Sequence, residues 1–358
     1  MDRQSKWAGI DTSTRTFAIS VVDSCGSVVV STELPADVAL AKGFLAPYSD
    51  TLKLVALETG RTSTHLARSL LEAGYPAKVY DALRVYRFLR VRSNKTDSHD
   101  ARGIAEVGRI GGESIRPVYL KPLGIALVRE KLVIRERLIR FRKENENALM
   151  NILNAYGVRA ADRITSFQAL QRNVLAMLNR IEEDYESPIR AQILPLLDLS
   201  QMLRRQEGRL EREIDTYANR TEVCRRMMAV PGGGPITAVS FVTAIGDPKR
   251  FSNTEDVGPY LGLSPRIWRT GRYSRQSRIS KWGNSLTRKH LHIAARTALN
   301  SKTDTSLRKW ALQLAGRANR KKATVALARK LAVVLLAMWK SGSTFDPNGT
   351  QASRQKLV

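Results

Sequence analysis

Residues 7–32 run WAGIDTSTRTFAISVVDSCGSVVVST, and this stretch decides the fold class. It holds three apolar runs, Trp7–Asp11, Phe17–Val22 and Val28–Thr32, the last two separated by a Ser24–Ser27 turn that contains Gly26. Side chains branched at Cβ suit a pleated, half-buried surface, and small polar residues interrupt the runs, so the spacing predicts three strands in a meander. Working outward, Leu54–Glu58 and Ala77–Tyr80 carry the same signature. Between them, Ser63–Ala73 has helical character and stops at Gly74. A meander followed by strand–helix alternation predicts a mixed-sheet α/β domain over residues 1–115.

The pattern then changes. From Leu123 to Tyr156, Leu127, Ile134, Phe141 and Ala148 recur every seventh residue, with Leu138, Asn145 and Ile152 offset by four. Leu196, Leu203, Leu210 and Tyr217 repeat the spacing. This heptad-like order predicts a helical region over 116–222, forming an antiparallel arm or a coiled-coil contact between subunits. A third, mainly helical domain is expected over 223–345, followed by a flexible polar tail at 346–358 within the Ser341–Val358 end.

Charge narrows the partner. Fifty-nine Lys and Arg against 33 Asp and Glu give a formal net charge of +26. Such an excess works against a compact chain by self-repulsion unless a polyanion offsets it, which makes nucleic acid the favoured partner, well ahead of an anionic membrane surface. The excess is concentrated: Tyr260 to Lys340 holds nineteen Lys and Arg and a single acid, Asp304. Cys25 and Cys224 are far apart and lack ligand-spaced companions, which argues against a disulfide framework or a zinc site and for a reducing compartment. No apolar signal segment opens the chain. The apolar run Ala323–Trp339 is broken by Arg329 and Lys330, so a buried or amphipathic helix is expected rather than a membrane span. The expectation is a cytoplasmic protein that works on the nucleoid.

Four acids have the placing that metal-dependent phosphoryl transfer needs. Asp11 closes the first strand and Glu58 the fourth, and acids in these positions emerge at the carboxyl ends of the strands, where α/β sheets hold their sites. Asp97 and Asp100, in NKTDSHDAR (94–102), are three apart and share one helix face. Hard divalent cations, Mg2+ or Mn2+, take several oxygen ligands and can clamp the attacking and leaving oxygens of a phosphodiester. Singly, Asp11 could merely end a strand, and Asp97 could cap a helix. Together, in so basic a chain, they point to a catalytic set.

The phrases LETG (57–60) and NKTDxxDAR, spaced as they are after Gly9-Ile10-Asp11, resemble the DEDD transposases of the IS-one-ten insertion-sequence family, relatives of the Piv DNA invertases now called bridge recombinases. The resemblance runs from Gly9 to the Ser341–Phe345 region. It implies a RuvC-like, RNase H-type N-terminal domain with its tetrad at Asp11, Glu58, Asp97 and Asp100. It also implies a C-terminal transposase domain, a dimeric or tetrameric homo-oligomer, and guidance by a bridge RNA. A composite site, the tetrad of one subunit meeting the hydroxyl loop of another, follows from the same resemblance.

Two further motifs face nucleic acid. VPGGGP (230–235) has the look of a helix-hairpin-helix turn, in which Gly232 and Gly234 would let the backbone and the next helix's amides approach a phosphate. The usual apolar residue between the outer glycines is here Gly233. Downstream come Arg266, Arg269, Arg272, Arg275, Arg278 and Lys281, with Trp268 and Tyr273 among them. Gly271 disfavours a continuous helix, so a mobile loop or short ribbon is expected, its arginines binding phosphates and its aromatics stacking on bases. Affinity should fall steeply with salt. In the family a serine nucleophile lies five residues after the proline and just before a glycine, and counting from Pro265 that position is Thr270. Threonine keeps the attacking hydroxyl but adds a methyl that crowds an in-line approach. Either Thr270 acts, or Ser274 substitutes, or the copy is catalytically decayed. His65, His99, His290 and His292 lack partners at ligand spacing and are expected at the surface or on phosphates. The expected function is recombination through a covalent protein–DNA intermediate. The alternatives are a RuvC-like nuclease of branched DNA using metal-activated water, and a non-catalytic nucleic-acid-binding protein.

Overall fold

The computed structural model describes residues 5–89, 97–112, 115–160, 164–185, 189–270 and 273–348; within these spans the side chains of 97–99, 184–185, 267–270 and 273–277 are left out. The chain folds as two compact units, Met1–Lys121 and Pro122–Val358.

In the first unit, β1 (Lys6–Thr12), β2 (Thr16–Val22) and β3 (Val28–Pro35) form the expected antiparallel meander. Helix α1 (Val38–Leu45) then carries the chain to β4 (Leu52–Glu58), which pairs in parallel with β1. Helix α2 (Ser63–Glu72) leads to β5 (Ala77–Tyr80), parallel to β4, and α3 (Ala82–Leu89) and α4 (Asp97–Ile110) follow. The sheet order is β3-β2-β1-β4-β5. Parallel neighbours need a crossover long enough to hold a helix, which is what α1 and α2 supply. Helices α1 and α3, eight residues each, are additions to the elements expected from the sequence, being too short for a clear helical period.

Side chains alternate across a strand, so β1 and β4 feed two cores. Ala8, Ile10, Val55 and Leu57 join Leu45, Leu66 and Leu70 on one face. On the other, Leu54 and Ala56 pack with Ile104 and Val107 of α4. Gly9 sits on this second face, where a Cβ would run into the Ala101 carbonyl oxygen and the Ala105 amide nitrogen. Its missing side chain is the reason α4 can lie directly on β1.

The second unit is helical. Its elements are α5 (Leu123–Ala155), α6 (Phe167–Tyr185), α7 (Arg190–Arg220), α8 (Glu222–Met228), α9 (Pro235–Ile245) and α10 (Val257–Tyr260). The ribbon β6 (Pro265–Thr270) and β7 (Tyr273–Ile279) follows, then α11 (Ser285–Asn300), α12 (Ser306–Arg317) and α13 (Arg320–Ser341). Helix α9 has no charged residue and is buried from Thr237 to Ile245, with α11, α13 and parts of α5 and α7 around it. No helix among the described residues is long and apolar enough to cross a membrane. Helix α13, which contains the run Ala323–Trp339, buries its leucines in this core while Lys330 lies 4.5 Å over the Trp310 ring.

The arm expected from the heptads exists within one chain: α5 and α7 lie antiparallel. Lys131 bonds Glu213 at 2.8 Å, Arg142 bonds Glu207 at 2.7 Å, and Arg204 bonds Glu146 at 2.8 Å. Asn145 donates to Leu196 O at 2.7 Å and to Ser200 Oγ at 2.8 Å. Leu203 is buried and Leu196, Leu210 and Tyr217 are half-buried. On α5 the outcome differs. Leu127, Ile134, Phe141 and Ala148 are exposed, because α7 covers a neighbouring face carrying Leu132, Arg142, Glu146 and Leu149. Helices α5 and α7 contribute Leu132, Ile214 and Ala218 to the core of the C-terminal residues, while α6 packs against other parts of α5 and α7 in a separate cluster. The expected tail is anchored at its start: Phe345 packs on the core, and Ser306 N donates to Pro347 O at 2.9 Å, satisfying an otherwise orphaned first-turn amide of α12. Residues 349–358 lie outside the described residues.

Candidate active site and nucleic-acid interface

Asp11 and Glu58 lie near the carboxyl ends of the neighbouring strands β1 and β4. The β1–β4 register pairs Gly9 with Ala56 and Ile10 with Leu57, so Asp11 and Glu58 stand next in line on neighbouring strands. By alternation both share the face of Gly9 and Ala56, the face that α4 covers. Helix α4 runs back along β1: Ala101 and Ala105 lie over Gly9, while Gly108 meets Leu54 and Ala56, and Arg109 donates to Ser24 O at 3.0 Å at the amino-terminal end of β1. Its first turn, with Asp97 and Asp100, therefore lies toward the carboxyl ends of β1 and β4. Asp100 is half-buried, and the side chains of Asp97 and His99 lie outside the described residues.

Like charges on adjacent strands at one level repel, and a cation between them relieves this. Carboxylate oxygens are also the donors that hard divalent ions prefer, so the residues present suit such an ion. Among the described residues no group of three or more His, Cys, Asp or Glu side chains is gathered to hold a metal.

The arginine-rich segment is a ribbon. Arg269 pairs with Ser274 and Thr270 with Tyr273, which puts Thr270 at the tip end of β6. The side chains of Trp268, Arg269, Thr270, Tyr273, Ser274 and Arg275, and residues 271–272, lie outside the described residues. At the base, Arg266 Nη2 donates to Ser280 O at 3.0 Å, and Arg266, Arg278 and Lys281 are exposed.

The Gly-rich turn joins α8 to α9 as expected. The close approach at Gly232 is to the protein itself, since a Cβ there would strike the Ala294 backbone of α11. Gly234, exposed with nothing within 4 Å of a Cβ, is the glycine of the pair that faces outward, at the amino end of α9. Pro235 removes one amide from that end.

His290 corrects an expectation. It is 5% exposed rather than superficial, packed by the side of α11 that faces the core. Burial, with Arg135, Arg129 and Lys289 nearby, pushes its pKa down to about 3, so it is neutral at physiological pH. Next to it is a residue that no motif flagged. Arg129 of α5, 7% exposed, donates to Thr287 Oγ1 at 3.0 Å, to Ser240 O and Oγ at 3.4 Å, and to Asn284 Oδ1. Burial lowers its pKa to about 10. Asn284 caps α11 just beyond the ribbon, so Arg129 ties α5 and α9 to the ribbon's exit. Its partners lie 111 to 158 residues away, beyond any local pattern.

Comparison with known proteins identifies the class. Residues 8–158 match a DEDD-type model of IS110 described as a transposase. Residues 224–311 match the model described as the transposase IS116/IS110/IS902 family, so the chain carries two domains of this kind of insertion-sequence transposase. It is 29% identical over 345 residues to the transposase for insertion sequence element IS1111A of Coxiella burnetii, covering 95% of this chain and 91% of that protein. A probable family 20 transposase of Pseudomonas aeruginosa is 29% identical, with 95% and 98% covered. The transposase for insertion sequence element IS1328 of Yersinia enterocolitica is 27% identical, with 82% and 85% covered.

Proposed function

We propose that this chain cleaves DNA at the ends of an insertion sequence and joins the strands to a target. In this reading Asp11, Glu58, Asp97 and Asp100 hold divalent cations, Mg2+ or Mn2+, and the hydroxyl of Thr270 is the nucleophile. The observation that carries it is the β1–β4 register, which sets Asp11 and Glu58 side by side on the face covered by the helix that begins at Asp97. The order β3-β2-β1-β4-β5, antiparallel then parallel, supports the RuvC-like, RNase H-type reading.

Bound cations would neutralise charge building on the phosphate oxygens. The Thr270 oxygen bonds to phosphorus as the strand's own ester bond breaks, and the released strand hydroxyl regains the proton that threonine sheds. One ester replaces another, so rejoining needs no outside energy. Arg266, Arg269, Arg272, Arg275, Arg278 and Lys281 hold the strand by its phosphates. A bridge RNA is the second polyanion of this reading, and the +26 charge supports room for both. The exposed row Leu127, Ile134, Phe141 and Ala148 supports a homo-oligomer joined along α5.

Recombination between donor and target plasmids, with a denaturing gel for protein–DNA adducts, tests this. Asp11→Ala should abolish product, and Thr270→Val should abolish both adduct and product. Product from Thr270→Val at the wild-type level would remove the hydroxyl from the chemistry. Cleavage without any adduct would favour hydrolysis by water instead.

A further inference from the structure

The base of the ribbon displays a large aromatic ring. Trp282 is 47% exposed, and no other tryptophan is exposed among the described residues. Its backbone is held tightly. Ser280 N donates to Ser264 O at 2.9 Å and Lys281 N to Gly262 O at 3.1 Å. Lys281 takes a left-handed φ of 59°, alone among the described non-glycine residues, a conformation that persists only where the surroundings enforce it. Gly262 and Gly283 have φ of 68° and 80°. A Cβ on Gly262 would lie 2.6 Å from Trp282 N, and one on Gly283 would strike the Tyr260 carbonyl, so both positions need glycine for conformation and for space. Arg288 closes the clamp from α11, donating to Trp282 O at 3.1 Å and to Leu261 O at 2.9 Å.

An exposed apolar surface forgoes burial, and here a braced backbone fixes a tryptophan that is 47% exposed. The segments that meet at this point carry Arg266, Arg278, Lys281 and Arg288, and no acid occurs in the sequence between Asp256 and Asp304. Tyr260, whose backbone abuts Gly283, is exposed as well. A half-exposed indole among residues whose sequence neighbours are cationic suits one ligand in particular: a base out of its stack, whose face meets the ring while the flanking phosphates meet the cations. Fully paired DNA hides its base faces and offers only phosphates, sugars and base edges.

We propose that Trp282 is a stacking platform for an unpaired base of a DNA strand held at the base of the ribbon. This rests on the strand-transfer reading, in which a strand must leave one duplex before it joins another. The test uses the full chain and three probes of one length: a DNA duplex with a bulged 2-aminopurine, its fully paired counterpart, and the same bulge in RNA. Wild-type protein should quench the bulged DNA probe. Trp282→Ala should lose the quenching and bind bulged DNA about tenfold more weakly while binding paired DNA within about twofold of wild type. Trp282→Phe should keep most of the effect, and Trp282→Leu, apolar but without a π-face, should behave as alanine does; this pair decides the matter if the alanine variant misfolds. Equal losses on bulged and paired DNA, no loss on either, or a loss confined to RNA would overturn the proposal alone. Wild-type protein that binds neither DNA would overturn the strand-transfer reading and this proposal with it.

Discussion

Gly9→Ala probes the seat on which the acidic pair depends. A Cβ at this position lies 2.9 Å from Ala105 Cα and inside contact distance of two backbone atoms of α4. The tightest contacts, to Ala101 O and Ala105 N, fall far short of the 3.4 Å at which ordinary contact begins, so α4 must retreat by about 1 Å or more. Helix α4 buries Ala101, Ile104, Ala105 and Val107 almost completely against the sheet. A gap of that size forfeits a quarter to a half of such contacts, and overpacking of a rigid core costs about 1–3 kcal/mol. Because the obstacle is backbone and cannot rotate away, a loss near the upper end, about 3 kcal/mol, is expected. Urea unfolding followed by circular dichroism, with hydrogen exchange on peptides covering 97–110, reads this out. The exchange should show α4 opening first, and strand cleavage should fall further than stability does, since Asp97 and Asp100 ride on α4. Gly43→Ala in α1, where nothing lies within 4 Å, is the control and should be neutral or mildly stabilising. If Gly9→Ala matched that control in midpoint and in α4 protection, the packing account of the acidic pair would be wrong.

Three other outcomes are expected. His290 takes up no proton in the folded state until near pH 3, whereas in the unfolded chain it titrates near its ordinary value of about 6.5. Its contribution to stability is therefore complete above that value and is lost as pH falls, at up to about 1.4 kcal/mol per pH unit. Denaturation at stepped pH between 7 and 4 should show a slope that His290→Leu flattens; an unchanged slope refutes the assignment. Arg129→Met leaves Ser240, Thr287 and Asn284 oxygens without their guanidinium donor, and a net loss of about 2 kcal/mol is expected after allowing for removal of a buried charge. Arg129→Lys should not restore it, since an ammonium cannot span these acceptors, and full rescue by lysine in thermal unfolding would contradict that geometry. Ile134→Glu with Phe141→Glu should leave the melting temperature of the fold unchanged, because both are exposed, while lowering the mass seen by light scattering. No change in mass would mean α5 does not join subunits.

The sequence by itself determined the five strands of the first unit, the long helix from Leu123, the turn between α8 and α9, and the family. Each of these is written locally: in alternation at Trp7–Thr32, in heptads, in glycines, or in short phrases such as LETG. It also picked out Asp11 and Glu58 as strand-end acids, though which strands are neighbours, and so that these two acids are, came from the β1–β4 pairing. Only tertiary structure decided which apolar stripe of α5 is covered, because Leu127 and Leu132 look alike until α7 chooses a side. It likewise showed that Gly232 makes room for Ala294 and that His290 is buried. Arg129 joins residues more than a hundred positions away, and Trp282 is held half-exposed by contacts from Tyr260–Ser264. Periodicity records which faces a segment can bury; what comes to lie against each face depends on distant parts of the chain, and no local pattern carries that.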